Sequence, residues 1–326
     1  MDCYAVYTGP KREQIRIRDC IPGIAELRGS DLPFHTPDGE RSAEWMRFHV
    51  SKQMEVLDET LGVVFNSFPD LETQVYRALC DEMKANIFPI GPLVVQPPRN
   101  TNHTTPCPHS STPGPSCSSL LDEEMDCIDW LSLHKPSSVL YISMGSLYEF
   151  TPREALELAA ALLLRPSQPF LWVLRGTATL ADEIVAQLVG SHVDGKVVKW
   201  APQVQVLSHP SIGGFLTHCG WNSTLETITS GVPIIGWPQL LDQRTNCWSL
   251  VHVLEMGIGP LPPSPTRAEF DDAISSLMCL PSSNTLRERA SSVCAICPSS
   301  LFGLQSFLET ISNITTPNHD LQISPI

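Results

Sequence analysis

The stretch that decides the fold is WAPQVQVLSHPSIGGFLTHCGWNSTLETITSGVPIIGWPQLLDQ, residues 200–243. Within it, the apolar run GGFLT (213–217) predicts a strand, STLETITS (223–230) predicts a helix, and VPIIGW (232–237) predicts a second strand. Gly231 follows the helix, where glycine commonly closes a helix end. A helix between two almost continuously apolar strands is typical of a parallel pair in a sheet that is buried on both faces.

The same alternation of strands and helices continues on both sides of this stretch. Three further strands are predicted upstream, at VLYIS (139–143), PFLWVL (169–174) and KVVKW (196–200). Further helices are predicted from Thr151-Pro152 onwards, at 180–188, at 242–256 and at 267–278. Threonine as N-cap with proline in the first turn is a frequent helix start. The pattern predicts a doubly wound, Rossmann-like α/β domain, in which ligands bind at the carboxyl ends of the strands.

The chain before residue 94 contains fewer predicted helices and strands. It predicts helices at 42–60 and 70–79 and strands at 62–67 and 87–93. So few elements cannot bury a sizeable core of their own, so we interpret this part as the remnant of a larger α/β unit. The predicted regions are therefore an N-terminal remnant (1–93), a linker rich in Pro, Ser and Thr (94–119), a complete doubly wound domain (120–300), and a C-terminal helix and tail (301–326).

Composition excludes several classes of protein. The 326 residues carry 21 Lys and Arg against 35 Asp and Glu, a net charge of −14. An acidic chain of this kind argues against nucleic acid or an anionic membrane surface as the main partner. No apolar run approaches the roughly 20 residues needed to span a bilayer, and the N-terminus lacks a secretory signal. The 11 cysteines are predicted to be reduced thiols, and we expect a cytoplasmic protein without stable membrane insertion.

The turn between the strand at 213–217 and the helix after it can bind an anion. The first N–H groups of a helix are unpaired and carry the positive end of its dipole, and Gly220 lets a ligand approach the backbone. His218, Asn222 and Ser223 can all donate hydrogen bonds there. A purely structural interpretation also exists, in which Ser223 and Glu226 form a capping box and the tryptophans of the stretch fill the core. The anion interpretation predicts a phosphate or diphosphate ligand.

The joint spacing of these motifs resembles the 44-residue signature of plant family 1 UDP-glycosyltransferases. The shared pattern is W-A-P-Q, L-x-H-P, G-x-F-x-T-H-C-G-W-N-S-x-x-E, G-V-P, W-P and D-Q. The flanking segments SVLYISMGS (138–146), VVFNSFPDLE (63–72) and IFPIGPL (87–93) are similar to the family as well, although the family usually has Phe where Met144 stands. The resemblance covers roughly residues 18–312, the linker excepted. It implies the GT-B type of fold, with an N-terminal acceptor-binding domain and a C-terminal donor-binding domain.

The resemblance also implies a role for each matching residue. Uracil and ribose would be bound by Trp200, Ala201, Gln203 and Glu226. The diphosphate would be held by Ser146, His218, Asn222 and Ser223. The sugar hydroxyls would be contacted by Trp221, Asp242 and Gln243. The implied partners are a UDP-sugar, with UDP-glucose favoured by Gln243, and a small hydroxylated acceptor. The UDP-sugar is a co-substrate, and neither a metal nor another cofactor is implied.

The catalytic base of the family does not match any residue of this chain. In the family it is a His shortly after the first strand, and here the resemblance begins late in the N-terminal domain. His35 and His49 lie in the first part, but neither follows a predicted strand. We therefore interpret the chain as N-terminally truncated and expect poor transfer of sugar.

Three classes of function remain open. The first is a UDP-sugar-dependent glycosyltransferase that forms an O-glucoside with inversion. The second is a non-catalytic UDP-sugar-binding fragment, or a partner subunit of a full-length relative. The third is an unrelated dehydrogenase, which the absence of a G-x-G-x-x-G fingerprint after the first strand disfavours.

Overall fold

The computed structural model describes residues 31, 60, 62–83, 86–94, 125–175, 183–184, 186, 188, 191–297 and 302–315. The predicted helix at 42–60, His35, His49 and nearly all of the 94–119 linker lie outside these residues. Two units of α/β structure follow one another along the chain. In the described residues no helix is both long and apolar enough to cross a membrane.

The smaller unit is a pair of parallel strands with a helix between them. Strand β1 (Gly62–Phe65) leads into helix α1 (Thr73–Glu82), and the chain returns as strand β2 (Asn86–Pro89). The predicted strand at 87–93 is shorter in the structure, where β2 ends at Pro89 and two further hydrogen bonds, from Ile90 to Phe65 and from Gly91 to Ser67, follow it. Phe68, just after β1, is buried in the core of the larger unit. The smaller unit therefore packs against the larger one.

The larger unit is built on six parallel strands. They are β3 (Val139–Ser143), β4 (Phe170–Val173), β5 (Gly195–Val198), β6 (Ile212–Thr217), β7 (Ile234–Gly236) and β8 (Gly257–Ile258). Their order in the sheet is β5-β4-β3-β6-β7-β8. The winding direction reverses between β3 and β6, which is the switch point of a doubly wound sheet. This topology confirms the predicted α/β class.

Helices cover both faces of this sheet. In chain order they are α2 (Asp126–Leu131), α3 (Pro152–Leu163), α4 (Gln203–Leu207), α5 (Trp221–Ser230), α6 (Gln243–Trp248), α7 (Arg267–Met278) and α8 (Ser282–Ala295). The last helix, α9 (Phe302–Thr315), packs against β2 of the smaller unit instead, with the Phe307 and Phe88 rings 5.4 Å apart. Helix α3 begins with the predicted cap, since Thr151 and Glu154 bond each other's backbone reciprocally. Helix α7 has the bounds that the sequence predicts.

The core divides into two layers because side chains alternate along each strand. Tyr141 and Phe215 face one layer, which is covered by α5 and α8. Leu140 and Trp172 face the other layer, which is covered by α3 and α7. Strands β3, β4, β6 and β7 are buried along their whole length. Nearly continuous apolar character in the sequence therefore reflects burial on both faces.

Several predicted bounds are wrong, and the deviations have physical causes. Helix α5 begins at Trp221 rather than Ser223, with Gly220 as an extended N-cap that makes no side-chain cap bond. The capping box of Ser223 and Glu226 does not form, because Ser223 already lies inside the helix. The predicted helix at 242–256 is α6 followed by a π-helical turn, Ser249–Val253. The left-handed backbone of Glu255, at φ 53°, prevents the helical segment from continuing to residue 256.

Candidate functional site

The candidate site lies where β3 and β6 end side by side at the switch point. Ser143 and Thr217 are the last paired residues of these strands, so the loops after them start next to each other. All of the predicted ligand residues follow the carboxyl ends of β3, β5, β6 or β7, or lie on the helices that begin there. The topology therefore brings four separate segments of the chain to one edge of the sheet, where doubly wound domains bind ligands.

His218 occupies a narrow space between two glycines. Gly145 has a left-handed backbone at φ 71°, and a Cβ on it would collide with the His218 ring. A Cβ on Gly220 would collide with the same ring. Both positions therefore require glycine, which holds the imidazole at the mouth of the turn.

Burial makes His218 a neutral group. Loss of solvent lowers its pKa from 6.5 to about 4, and the nearby Asp242 carboxylate opposes this only in part. Its Nδ1 atom is buried and has no hydrogen-bond partner within the described part of the chain. His218 lies three residues before the start of the ten-residue helix α5, whose first N–H groups have no acceptor within the helix. A buried, unsatisfied ring nitrogen beside a positive helix end suits an anionic ligand.

A buried polar network lies beside this histidine. The amide nitrogen of Gln203 donates to the Ser223 hydroxyl at 2.7 Å and to the Glu226 carboxylate at 2.6 Å. The amide oxygen of Gln203 accepts from the Tyr141 hydroxyl at 3.1 Å. Burial raises the pKa of Glu226, and the Gln203 bond works against that rise. The structure thus brings the predicted residues Gln203, Ser223 and Glu226 into direct contact.

Trp200 lies at the end of β5 with its ring against an arginine. The Arg175 guanidinium is 5.9 Å from the centre of the Trp200 ring. Arg175 also donates to the Gly145 carbonyl at 3.3 Å and lies 3.9 Å from the Glu149 carboxylate. Ala201 beside it is buried. Arg175 thus connects the loop after β3 to Trp200.

The residues predicted to contact a sugar are held by their own chain. Asp242 accepts from the Asn246 amide at 2.9 Å. The side-chain oxygen of Gln243 accepts from the backbone N–H groups of Gln239 and Leu240, each at 2.8 Å. The indole N–H of Trp221 donates to the Asn66 carbonyl at 2.8 Å, so this group binds the smaller unit. The two remaining predicted residues, Ser146 and Asn222, are exposed at this edge of the sheet.

Sequence reasoning missed three residues at this site: Tyr141, Arg175 and Asn246. Tyr141 is hidden in an apolar strand, and its partner Gln203 is 62 positions away. Arg175 could have been found, since it is a cation just past the carboxyl end of β4. Asn246 donates to the Cys219 carbonyl at 3.0 Å as well as to Asp242. It thereby ties the start of α6 to the turn that carries His218.

Metal-ligating side chains do not converge in the described ranges, where no group of three His, Cys, Asp or Glu could hold an ion. The C-x-x-C pair at the end of α8 consists of half-buried thiols. Cys294 donates to the Thr229 carbonyl at 3.1 Å, and burial raises the pKa of Cys297 to about 11. The Cys297 thiol therefore stays protonated, and Cys294 packs against α5 through its bond to Thr229.

Comparisons with known proteins agree with the fold that carries this site. The family described as UDP-glucoronosyl and UDP-glucosyl transferase matches residues 124–258. A curated relative, UDP-glycosyltransferase 76E4 of Arabidopsis thaliana, is 39% identical over 278 residues, which are 83% of this chain and 56% of the relative. Another, the 7-deoxyloganetin glucosyltransferase of Gardenia jasminoides, is 38% identical over 71% of this chain and 46% of its own length. The chain thus spans about half the length of the curated relatives it matches.

Solved structures give the same result for the fold. UGT2 of Phytolacca americana, complexed with UDP-2fluoro-glucose and pterostilbene, superposes with a TM-score of 0.70 at 27% identity, over 92% of this chain and 64% of that one. A UDP-glucosyltransferase of Polygonum tinctorium capable of glucosylating indoxyl superposes with a TM-score of 0.71 at 28% identity, over 93% and 65%. The GT-B class of fold is therefore confirmed.

Proposed function

The chain belongs to the plant UDP-glycosyltransferase family, and from this premise we propose that it binds a UDP-sugar at the switch point of its six-stranded sheet. The donor we propose is UDP-glucose, and the reaction is inverting transfer of glucose to a hydroxyl group of a small plant metabolite. Relatives named as glucosyltransferases support this choice of sugar. Family membership sets aside the alternative of an unrelated dehydrogenase.

One observation carries the proposal: at the N-terminus of α5, the buried Nδ1 atom of His218 has no hydrogen-bond partner among the residues that the structure describes. A diphosphate supplies the missing acceptor and also meets the first N–H groups of the helix. With its pKa near 4, His218 is neutral before the ligand arrives and binds as a hydrogen-bond donor. Asn222, Ser223 and Ser146 would donate further hydrogen bonds to the same phosphates. Positive potential at the diphosphate would come from the helix end, without a residue-bound metal.

The nucleoside would lie along the segment after β5. Trp200 offers its ring to uracil, and the backbone of Ala201 lies at the edge of the base. Gln203 and Glu226 are already joined by a 2.6 Å hydrogen bond, and together they would bind the ribose hydroxyls. The sugar would then extend towards Trp221, Asp242 and Gln243. Asp242 is anchored by Asn246, so its carboxylate is held near the His218 side of the site.

The test is the affinity of the purified chain for UDP, measured by isothermal titration calorimetry. Trp200→Ala should weaken binding by about 1–3 kcal/mol, which is the contribution of one base–aromatic stack. Trp130→Ala is the matched control, because Trp130 is also half-buried but lies on α2, away from the carboxyl ends of the strands. Equal loss of UDP affinity in both variants, or no loss in either, would contradict the proposal.

A second candidate function is UDP-sugar binding without transfer, either alone or as the partner of a full-length relative. Transfer requires a catalytic base that accepts the proton of the acceptor hydroxyl, and the described histidines are the candidates for it. The described histidines are His134, His192, His209, His218 and His252. Within that set only His218 follows a strand directly, and we assign it to the diphosphate. Mass-spectrometric detection of glucoside from UDP-glucose and a panel of phenols separates the two candidates.

A further inference from the structure

We propose that Tyr141 is a positioning residue for recognition of the ribose: its hydroxyl fixes the amide of Gln203, and that amide aims Ser223 and Glu226 at the ligand. The inference rests on the proposed function, because it concerns the same UDP site. It adds a residue outside the set that would touch the ligand, in the middle of a buried strand.

Tyr141 is a rigid hydrogen-bond donor. Its side chain is 1% exposed, and its ring stacks on Phe215 with centroids 4.8 Å apart and planes at 23°. Its hydroxyl donates to the Gln203 amide oxygen at 3.1 Å. Burial also raises the pKa of this phenol, so the proton stays on the oxygen at physiological pH. Stacking on Phe215 and the hydrogen bond to Gln203 thus fix this donor in place.

The Glu226 carboxylate can only accept, so it selects which end of the Gln203 amide faces the site, and the Tyr141 hydroxyl holds the opposite end in place. Because the amide oxygen is turned towards Tyr141, its NH₂ group faces Ser223 at 2.7 Å and Glu226 at 2.6 Å. The reverse orientation would set the amide oxygen against a carboxylate oxygen, and two acceptors repel each other at that distance. One hydrogen of the NH₂ group is therefore donated to Ser223 and the other to Glu226.

This orientation determines what Ser223 and Glu226 can offer to a ligand. The Ser223 oxygen accepts from Gln203, so its own hydrogen points elsewhere and can be donated to a phosphate. One oxygen of Glu226 accepts from Gln203, and its second oxygen is the one suited to a ribose hydroxyl. Tyr141, whose hydroxyl also lies within hydrogen-bonding reach of Ser143, therefore anchors the Gln203 end of this chain of hydrogen bonds.

The experiment compares the affinities of UDP and 2′-deoxy-UDP for the full chain by calorimetry. The unaltered chain should prefer UDP by roughly tenfold or more, the value of one hydrogen bond to a carboxylate. Tyr141→Phe should reduce that preference to roughly threefold or less, because Glu226 loses its anchored partner. Tyr148→Phe is the matched control: its hydroxyl also bonds a carboxylate, that of Glu154 at 2.8 Å, but stands outside the Gln203 network. It should keep the preference of the unaltered chain.

A double variant tests whether Tyr141 acts through Gln203. In a Gln203→Ala background, Tyr141→Phe should lower the preference for UDP no further. If Tyr141→Phe folds too poorly for calorimetry, replacement of Tyr141 by 4-fluorophenylalanine fills the same volume without a donor and should give the same loss.

The outcomes are distinguishable from failure of the proposed function. If the unaltered chain does not bind UDP, both the function and the inference are wrong. If it binds UDP but the variant keeps the preference for UDP over the deoxy analogue, the inference alone is overturned, even where both affinities fall. The inference would also be overturned if adding Tyr141→Phe to Gln203→Ala lowered the preference for UDP further than Gln203→Ala alone.

Discussion

His218 is the residue on which the site depends most closely. The two flanking glycines leave the space that its ring occupies, and the surrounding protein keeps the ring neutral. A neutral ring costs less to bury than a charged one and still offers an N–H group to a phosphate. The same burial has a consequence for stability, because the unfolded chain protonates this histidine readily and the folded chain does not.

The sign of this pH dependence follows from the lowered pKa. The folded-state pKa of about 4 lies below the ordinary 6.5, so the stabilising contribution is complete above pH 6.5 and is lost as the pH falls towards 4. Between pH 7.5 and 4.5 the loss attributable to His218 should be about 2–3 kcal/mol. We expect His218→Gln to show a drop in the free energy of urea unfolding that is smaller by this amount.

Exposed His192 supplies the matched control for this experiment. His192→Gln should show the same drop as the unaltered chain. An equal drop in His218→Gln and the unaltered chain would mean that the ring is not protected from protons in the folded state. Glu226, whose pKa is raised by burial, contributes with the opposite sign and is present in all three proteins, so it cancels.

Single residues also mark the limit of what the sequence could predict about the site. Gln203, His218 and Glu226 lie in a continuous pattern, and the resemblance of that pattern to the family implies a nucleotide ligand. Tyr141 is invisible to that reasoning, because its contact with Gln203 arises only when segments far apart in the chain become neighbours in the fold. Trp221 was predicted to contact the sugar, but its indole N–H donates to the carbonyl of Asn66, 155 positions away.

Among the elements, α5 connects the site to the core. Its N-terminus faces the turn with His218, and its buried side packs against α8 through residues such as Ile228 and Val293. Gly231 ends it in a left-handed conformation at φ 67°, as the sequence predicts. A Cβ at this position would lie 3.2 Å from the Cβ of Cys294 on α8. The end of the helix is therefore constrained both by its backbone and by its neighbour.

Gly231→Ala should lower the free energy of unfolding by about 1–2 kcal/mol, because a Cβ is strained in the left-handed region. Gly231→Asn adds the same Cβ, but Asn tolerates this conformation better, so its loss should be smaller. The measurement is urea unfolding of the three proteins. An alanine variant as stable as the unaltered chain would show that the helix end does not need the left-handed conformation.

Element types were easier to predict than element bounds. Strand β3 and helix α7 have the predicted bounds, because continuous apolar residues and a helical period with a clear cap are local signals. Helix α5 starts two residues earlier than predicted, since Trp221 joins the helix and leaves Gly220 as its cap. The short elements α4 and β8 were not predicted, because five and two residues are too few to produce a periodic pattern.

At the scale of the whole molecule, the strand order provides the local attraction that the proposed diphosphate site requires in an acidic chain. The net charge of −14 offers no attraction to an anion at long range. Attraction must therefore arise locally, where the doubly wound topology brings the loops after β3 and β6 together beside the N-terminus of α5. The smaller unit adds to this edge through Asn66, whose carbonyl accepts from Trp221 at the first turn of that helix.

The central claim is that the switch point between β3 and β6 is the UDP-sugar site, and a crystal structure of the chain grown with saturating UDP tests it most directly. The account predicts uracil against the Trp200 ring and the diphosphate within hydrogen-bonding distance, about 3 Å, of the His218 ring and the first turn of α5. UDP bound anywhere else on the chain, or an empty switch point at saturating UDP, would contradict it.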